Sequence, residues 1–167
     1  MEDAIELLKT RRSIRKYKDK PVEEEKIKKC LEAARWAPSA SNRQPWEFLI
    51  IKDNETRRKL SAIHPYAKFV EQSPVVFVPL TDPETHSKYH WADTALATLQ
   101  YMLEAHSLGL GTCWAGVIDS SIEPKVKELL EVPEHLRVLG LVATGYPDEE
   151  PTKDRKSLDE LTHYEKY

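Results

Sequence analysis

Arg11, Arg12, Ser13 and Arg15 place three guanidinium groups and a hydroxyl within five residues. Guanidinium forks match phosphate oxygens bidentately and a hydroxyl adds a neutral donor, so the spacing suits a phosphate ester. The plain alternative is a solvated basic turn. Lys153, Arg155 and Lys156 form a second basic cluster, by itself an ordinary charged tail. Between them, WAPSASNRQPWEFLIIKD at 36–53 packs two tryptophans, two prolines and two serines ahead of an apolar run. A polar loop this stiff is suited to holding something. Gly109, Gly111 and Gly116 do not have the G-x-G-x-x-G spacing, and they lead from a helix into a strand, which argues against a dinucleotide-binding domain. Gly109 fits the left-handed end of a helix. Gly116, next to Ala115 at a strand end, lets a flat ligand approach the backbone closely.

Protein-borne catalysis finds little support. His86 and His90 are four residues apart but lack a third or fourth ligand nearby, so no metal is expected. Nothing marks a partner for a Cys113 nucleophile, Cys30 sits among helical core positions, and no carboxylate pair stands out. The combination points to a bound cofactor that carries the chemistry. A net charge of -3, with 32% charged residues and no nucleic-acid-binding signature, argues against nucleic-acid and membrane partners. The acidic start Met1-Glu2-Asp3 is unlike a signal peptide, no apolar run approaches the roughly 18 residues that span a bilayer, and two distant cysteines suit a cytoplasmic location.

Positioning these residues requires a set of elements. Periodicity predicts helices over 4–9, 23–37 (acidic in its first turn), from Asp53 or Asn54 to 63, 91–108 and 123–130. Strands are expected at 48–51, 74–78 and 138–144. The helix at 91–108 carries Ala92, Ala95, Leu96, Leu99, Met102 and Leu103 around a broad ring, which predicts a central, nearly buried helix. From 147 to 167 the chain is polar and expected to be extended. The pattern favours an α+β sandwich with helices covering both faces of the sheet.

Read together, four stretches resemble the FMN-dependent nitroreductase family: RRSIRKY at 11–17, APSASNRQPWEF at 37–48, ADTALATLQYMLEAHSLGLGTCWAG at 92–116, and GYP at 145–147 followed by KDRK at 153–156. The likeness spans nearly the whole chain. It implies a single FMN-binding domain over 1–167, a mostly antiparallel sheet flanked by helices, and an intertwined homodimer with 148–167 as an arm packing on the dimer. By resemblance, Arg11, Arg12, Ser13 and Arg15 hold the FMN phosphate and ribityl chain, with Lys153 and Arg155 closing on the phosphate. Pro38, Ser39, Ala40 and Asn42 of the partner subunit line the flavin. Ala115 and Gly116 offer backbone N–H groups to the flavin N5 edge, and Lys68 reaches the pyrimidine edge. Many members carry an acidic residue at the position of Ala115, which bears on specificity.

The implied activity is a ping-pong oxidoreduction in which NADH or NADPH reduces the flavin and a nitroaromatic, quinone or similar small acceptor then takes the electrons. No side chain is assigned a catalytic role. The alternatives are a non-catalytic flavin-binding or redox-sensing dimer, and a flavin-fragmenting or dehalogenating relative, for which a lid insertion is missing.

Overall fold

The computed structural model describes residues 4–167; the acidic start at 1–3 lies outside them. The helices are α1 (Ala4–Thr10), α2 (Glu24–Arg35), α3 (Asn54–Ile63), α4 (Phe69–Gln72), α5 (His90–Ser107), α6 (Glu123–Leu129) and α7 (Leu158–Leu161). The strands are β1 (Trp46–Ile51), β2 (Val75–Thr81), β3 (Gly111–Gly116), β4 (Arg137–Val138) and β5 (Gly140–Gly145). Strand order is β1-β2-β5-β3, with β4 beside β2, and every pair of these strands is antiparallel.

Alternation along β2 divides the core in two. Val76, Val78 and Leu80 face a layer containing Leu60 of α3, Val70 of α4 and Val126 of α6. Val75 and Phe77 face α2 and α5, where Phe77 stacks on Tyr101 at 4.1 Å between ring centroids. With both faces covered, β2 is buried throughout, which is why it reads as an unbroken apolar run. The expected sandwich with helices on both faces is what forms.

Local chemistry sets the boundaries. Asp53 caps α3, its carboxylate accepting from the Thr56 N–H. Gly109, at φ 76°, ends α5 in a Schellman turn in which the Leu110 and Gly109 N–H groups donate to the carbonyls of Ala105 and His106. That turn sends β3 back along the sheet.

Three expectations need correction. The strand expected at 138–144 is two strands, broken at Leu139, where β2 carries Pro79 and has no N–H for a continuous ladder. Helix α5 is buried on one side only: Thr94, Ala97, Thr98, Tyr101 and Ala105 are enclosed, whereas Leu96 and Leu99 are 43% and 41% exposed. The polar tail is not wholly extended, because Ser157 and Glu160 form a reciprocal capping box that starts α7.

Candidate functional site

The basic run leaves α1 and lies beside the start of β3, where Ser13 bridges Thr112 and the Ile14 N–H donates to the Thr112 carbonyl at 2.9 Å. It continues against the tail, through the pairing of Tyr17 with Pro147 and the Asp148 N–H donated to the Lys16 carbonyl. Glu149 accepts from the backbone N–H groups of Arg15 and Lys16. These ties return 147–155 to the basic run, so Arg11, Arg12, Ser13 and Arg15 line one cavity of about 160 Å³ with Lys153 and Arg155. A cavity of about 380 Å³ shares Arg11 and Arg12 and extends to His106 and Glu149.

The cluster is electrostatically incomplete. Among the described residues, none of the cations at 11, 12, 15, 153 and 155 forms an ion pair. Arg12 spends one nitrogen on the carbonyls of Lys9 and Arg11 at the end of α1. Its Nε, and Nη1 of Arg11, are buried without a hydrogen-bond partner. Burial, then repulsion from Arg155 and Arg12, lowers the Arg11 pKa from its ordinary value. A buried donor left unpaired costs about 1–3 kcal/mol, so the arrangement calls for an anion.

The far end of β3 supplies a different surface. A Cβ on Gly116 would meet nothing within 4 Å, and its φ lies outside the left-handed region. Neither packing nor backbone conformation within the chain accounts for a glycine there, which fits the close approach of an external group. Ala115 beside it is buried. Lys68 is exposed, and its neighbour Phe69 lies under the Arg15 guanidinium, 5.9 Å from the ring centroid.

The loop at 38–44 is tied down by hydrogen bonds at both ends. Ser41, Asn42 and Gln44 all adopt positive φ, the Gln44 N–H donates to Ser39 Oγ, and the Ala40 N–H donates to Asp93 at 3.0 Å. Within one chain, however, it stands apart from the other site residues. It leads into β1, whereas Gly116 is on β3 at the opposite edge of the sheet, three strand spacings or roughly 14 Å away. Its anchor Asp93 and the neighbour of the arginine cluster, His106, are 13 residues apart on α5, roughly 20 Å at a helical rise.

Sequence reading missed several of the residues that hold the site. Asp93 and Glu149 tie distant backbone to the loop and to the basic run, and no local pattern announces either. His64 carries Gly116, with Nε2 at 3.0 Å from its carbonyl oxygen. The signal for its backbone was present in Pro65: a residue before proline avoids the α region, and His64, at φ −93° and ψ 114°, ends α3.

An antiparallel sheet between two helical layers, with an unneutralised cation cluster along one edge, defines an α+β fold built to hold an anionic ligand. The chain belongs to the nitroreductase family, whose pattern matches residues 8–64 and 63–146. It is 38% identical to a protein of Methanothermobacter thermautotrophicus provisionally named NADH dehydrogenase/NAD(P)H nitroreductase, over 99% of this chain and 88% of that one. It superposes on an FMN-dependent nitroreductase of Clostridium difficile with a TM-score of 0.91 at 34% identity, covering 98% and 99% of the two chains. With the NADPH:FMN oxidoreductase of Vibrio harveyi complexed with NAD+, the TM-score is 0.88 at 27% identity, covering 98% and 77%.

Proposed function

We propose that the chain is an FMN-dependent NAD(P)H oxidoreductase that works as a homodimer and reduces nitroaromatic, quinone or similar small acceptors by a ping-pong route. The observation that carries this reading is the buried, unpartnered Arg11 nitrogen in a cavity lined by four further cations, on the same strand edge as Gly116. The residues fit the cofactor. Arg11, Arg12, Ser13 and Arg15, with Lys153 and Arg155, would hold its phosphate and ribityl chain, while Ala115, Gly116 and Lys68 would meet its ring. Bound there, FMN supplies reversible two-electron chemistry. The protein's part is to neutralise the phosphate, fix the ring by backbone contacts and keep a flat open face for the second substrate.

The separation of the loop supports a dimer. Pro38, Ser39, Ala40 and Asn42 are too distant to serve a ligand held by their own chain at the other edge of the sheet, so a second copy would supply them. Leu96 and Leu99 on α5, with Leu158, Leu161, Tyr164 and Tyr167 on the tail, leave apolar surface exposed that a partner would cover, with 148–167 as an arm. The two free cysteines, both buried, suit a reducing compartment such as the cytoplasm. No described helix is long and apolar enough to cross a membrane.

The purified protein should be yellow, with one FMN per subunit. Anaerobic NADH or NADPH should bleach it without an acceptor, and added quinone should restore the colour over repeated turnovers. A protein that neither carries nor takes up FMN would end this reading; one that is reduced but never turns over would be a sensor.

A further inference from the structure

We propose that His64 is a positioning residue for the flavin ring, acting through the peptide that closes β3. The inference rests on the proposed FMN reading. The His64 ring has two partners of fixed polarity. The Tyr66 backbone N–H can only donate, so Nδ1, 3.2 Å from it, is the bare acceptor nitrogen. The proton therefore sits on Nε2, which donates to the Gly116 carbonyl at 3.0 Å.

The same peptide is held on its other side by the Val117 N–H, which donates to the Leu139 carbonyl at 3.2 Å. Both polar ends of the 116–117 peptide are thus committed, one to Leu139 between β4 and β5 and one to the imidazole. Gly116 lacks a side chain that could steady it, and its Cα faces open space. Without the imidazole, the Gly116 carbonyl would lose its partner, and the end of β3 would be held only by its pairing with the 139–140 backbone at the point where a ligand approaches. His64 is itself buried and locked: it is 8% exposed, its N–H donates to the Leu60 carbonyl, and its carbonyl accepts from the Ala67 N–H. The imidazole belongs to the short loop that carries Lys68, so one loop would set the Gly116 peptide and present the lysine together.

The test compares wild type with His64→Phe, which keeps an aromatic ring without the donor, and His64→Gln, whose amide restores one. Losing one hydrogen bond should weaken FMN and riboflavin binding alike, by about 2- to 12-fold. The shared loss would separate a ring effect from a phosphate effect. His64→Phe should also change the midpoint potential of the bound flavin, and His64→Gln should bring both quantities back toward wild type. His64→Phe with wild-type affinities and an unchanged potential would overturn the inference while leaving the FMN reading intact. Failure of the wild type to bind any flavin would instead defeat the FMN reading. If His64→Phe does not fold, nitrogen-15 NMR of the wild-type apoprotein decides. The His64 signals should show the Nε2–H tautomer and shift when riboflavin is added; the Nδ1–H tautomer, or signals that riboflavin does not move, would overturn it.

Discussion

Arg137 and Arg11 are both partly buried guanidinium groups beside the same sheet, and they are held in contrary ways. Arg137 on β4 donates to both carboxylate oxygens of Glu123 and to Asp119, at 2.7–2.8 Å. Those hydrogen bonds raise its pKa. Glu123 also accepts from the Val138 and Asp119 N–H groups, so this corner is a closed network. Arg11 has no such carboxylate; its neighbours in charge are Arg12 and Arg155, and burial and repulsion lower its pKa. An arginine whose partners are built in holds the fold together. One whose partners are missing keeps a place for something outside the chain.

The sharpest way to break the contrast is to take away the buried carboxylate that holds Arg137. Glu123→Ala should cost about 3 kcal/mol of stability, the low end of the range for breaking a buried pair from one side because Asp119 and solvent still reach Arg137, read from a denaturant midpoint. A loss near zero would mean that the corner is ornamental. Arg11→Ala should do the reverse. Apoprotein stability should hold or rise as repulsion falls, whereas FMN affinity should drop by about 1.5–3 kcal/mol, with riboflavin far less affected. Equal losses for both flavins would show that Arg11 does not read a phosphate.

Removing 148–167 takes away Lys153, Arg155 and the apolar tail residues. It should lower FMN affinity about tenfold, on the scale of one charged hydrogen bond, and weaken the proposed dimer in sedimentation. Full flavination and unchanged sedimentation would make the tail dispensable.

The smallest effect concerns acid. Burial pushes the Glu123 carboxyl up, but hydrogen bonds from Arg137, Val138 and Asp119 outweigh it and leave the pKa below the ordinary 4.5. A carboxyl depressed in the folded state contributes stability that is present above its unfolded pKa and lost as pH falls through the folded one. Unfolding free energy should therefore decline below about pH 4.5, by at most about 1.4 kcal/mol per pH unit for this one proton. Glu123→Gln should flatten that decline.

The parts of this molecule legible in sequence are those written locally. The buried run of β2, the Asp53 cap and the left-handed Gly109 are each decided by a few adjacent residues. The joining of the two basic clusters was legible only through the family resemblance, because the second cluster by itself reads as an ordinary charged tail. Contacts between distant residues were not legible: His64 with Gly116, and Ala40 with Asp93, join residues 52 and 53 positions apart and leave no pattern. Helix α5 shows a further limit. Periodicity shows that a face is apolar without showing whether its own chain or another covers it. The α7 capping box was readable, but the polarity around it concealed the signal.

The length of α5 has a consequence for how the protein would behave in dilute solution. If one ligand needs cations from one chain and the stiff loop from another, its occupancy obeys mass action twice, in the ligand and in the protein. Each doubling of chain concentration would tighten apparent cofactor binding with no change in any contact, and dilution would shed cofactor and partner together. The helix then acts as a spacer that makes self-association and cofactor loading a single equilibrium.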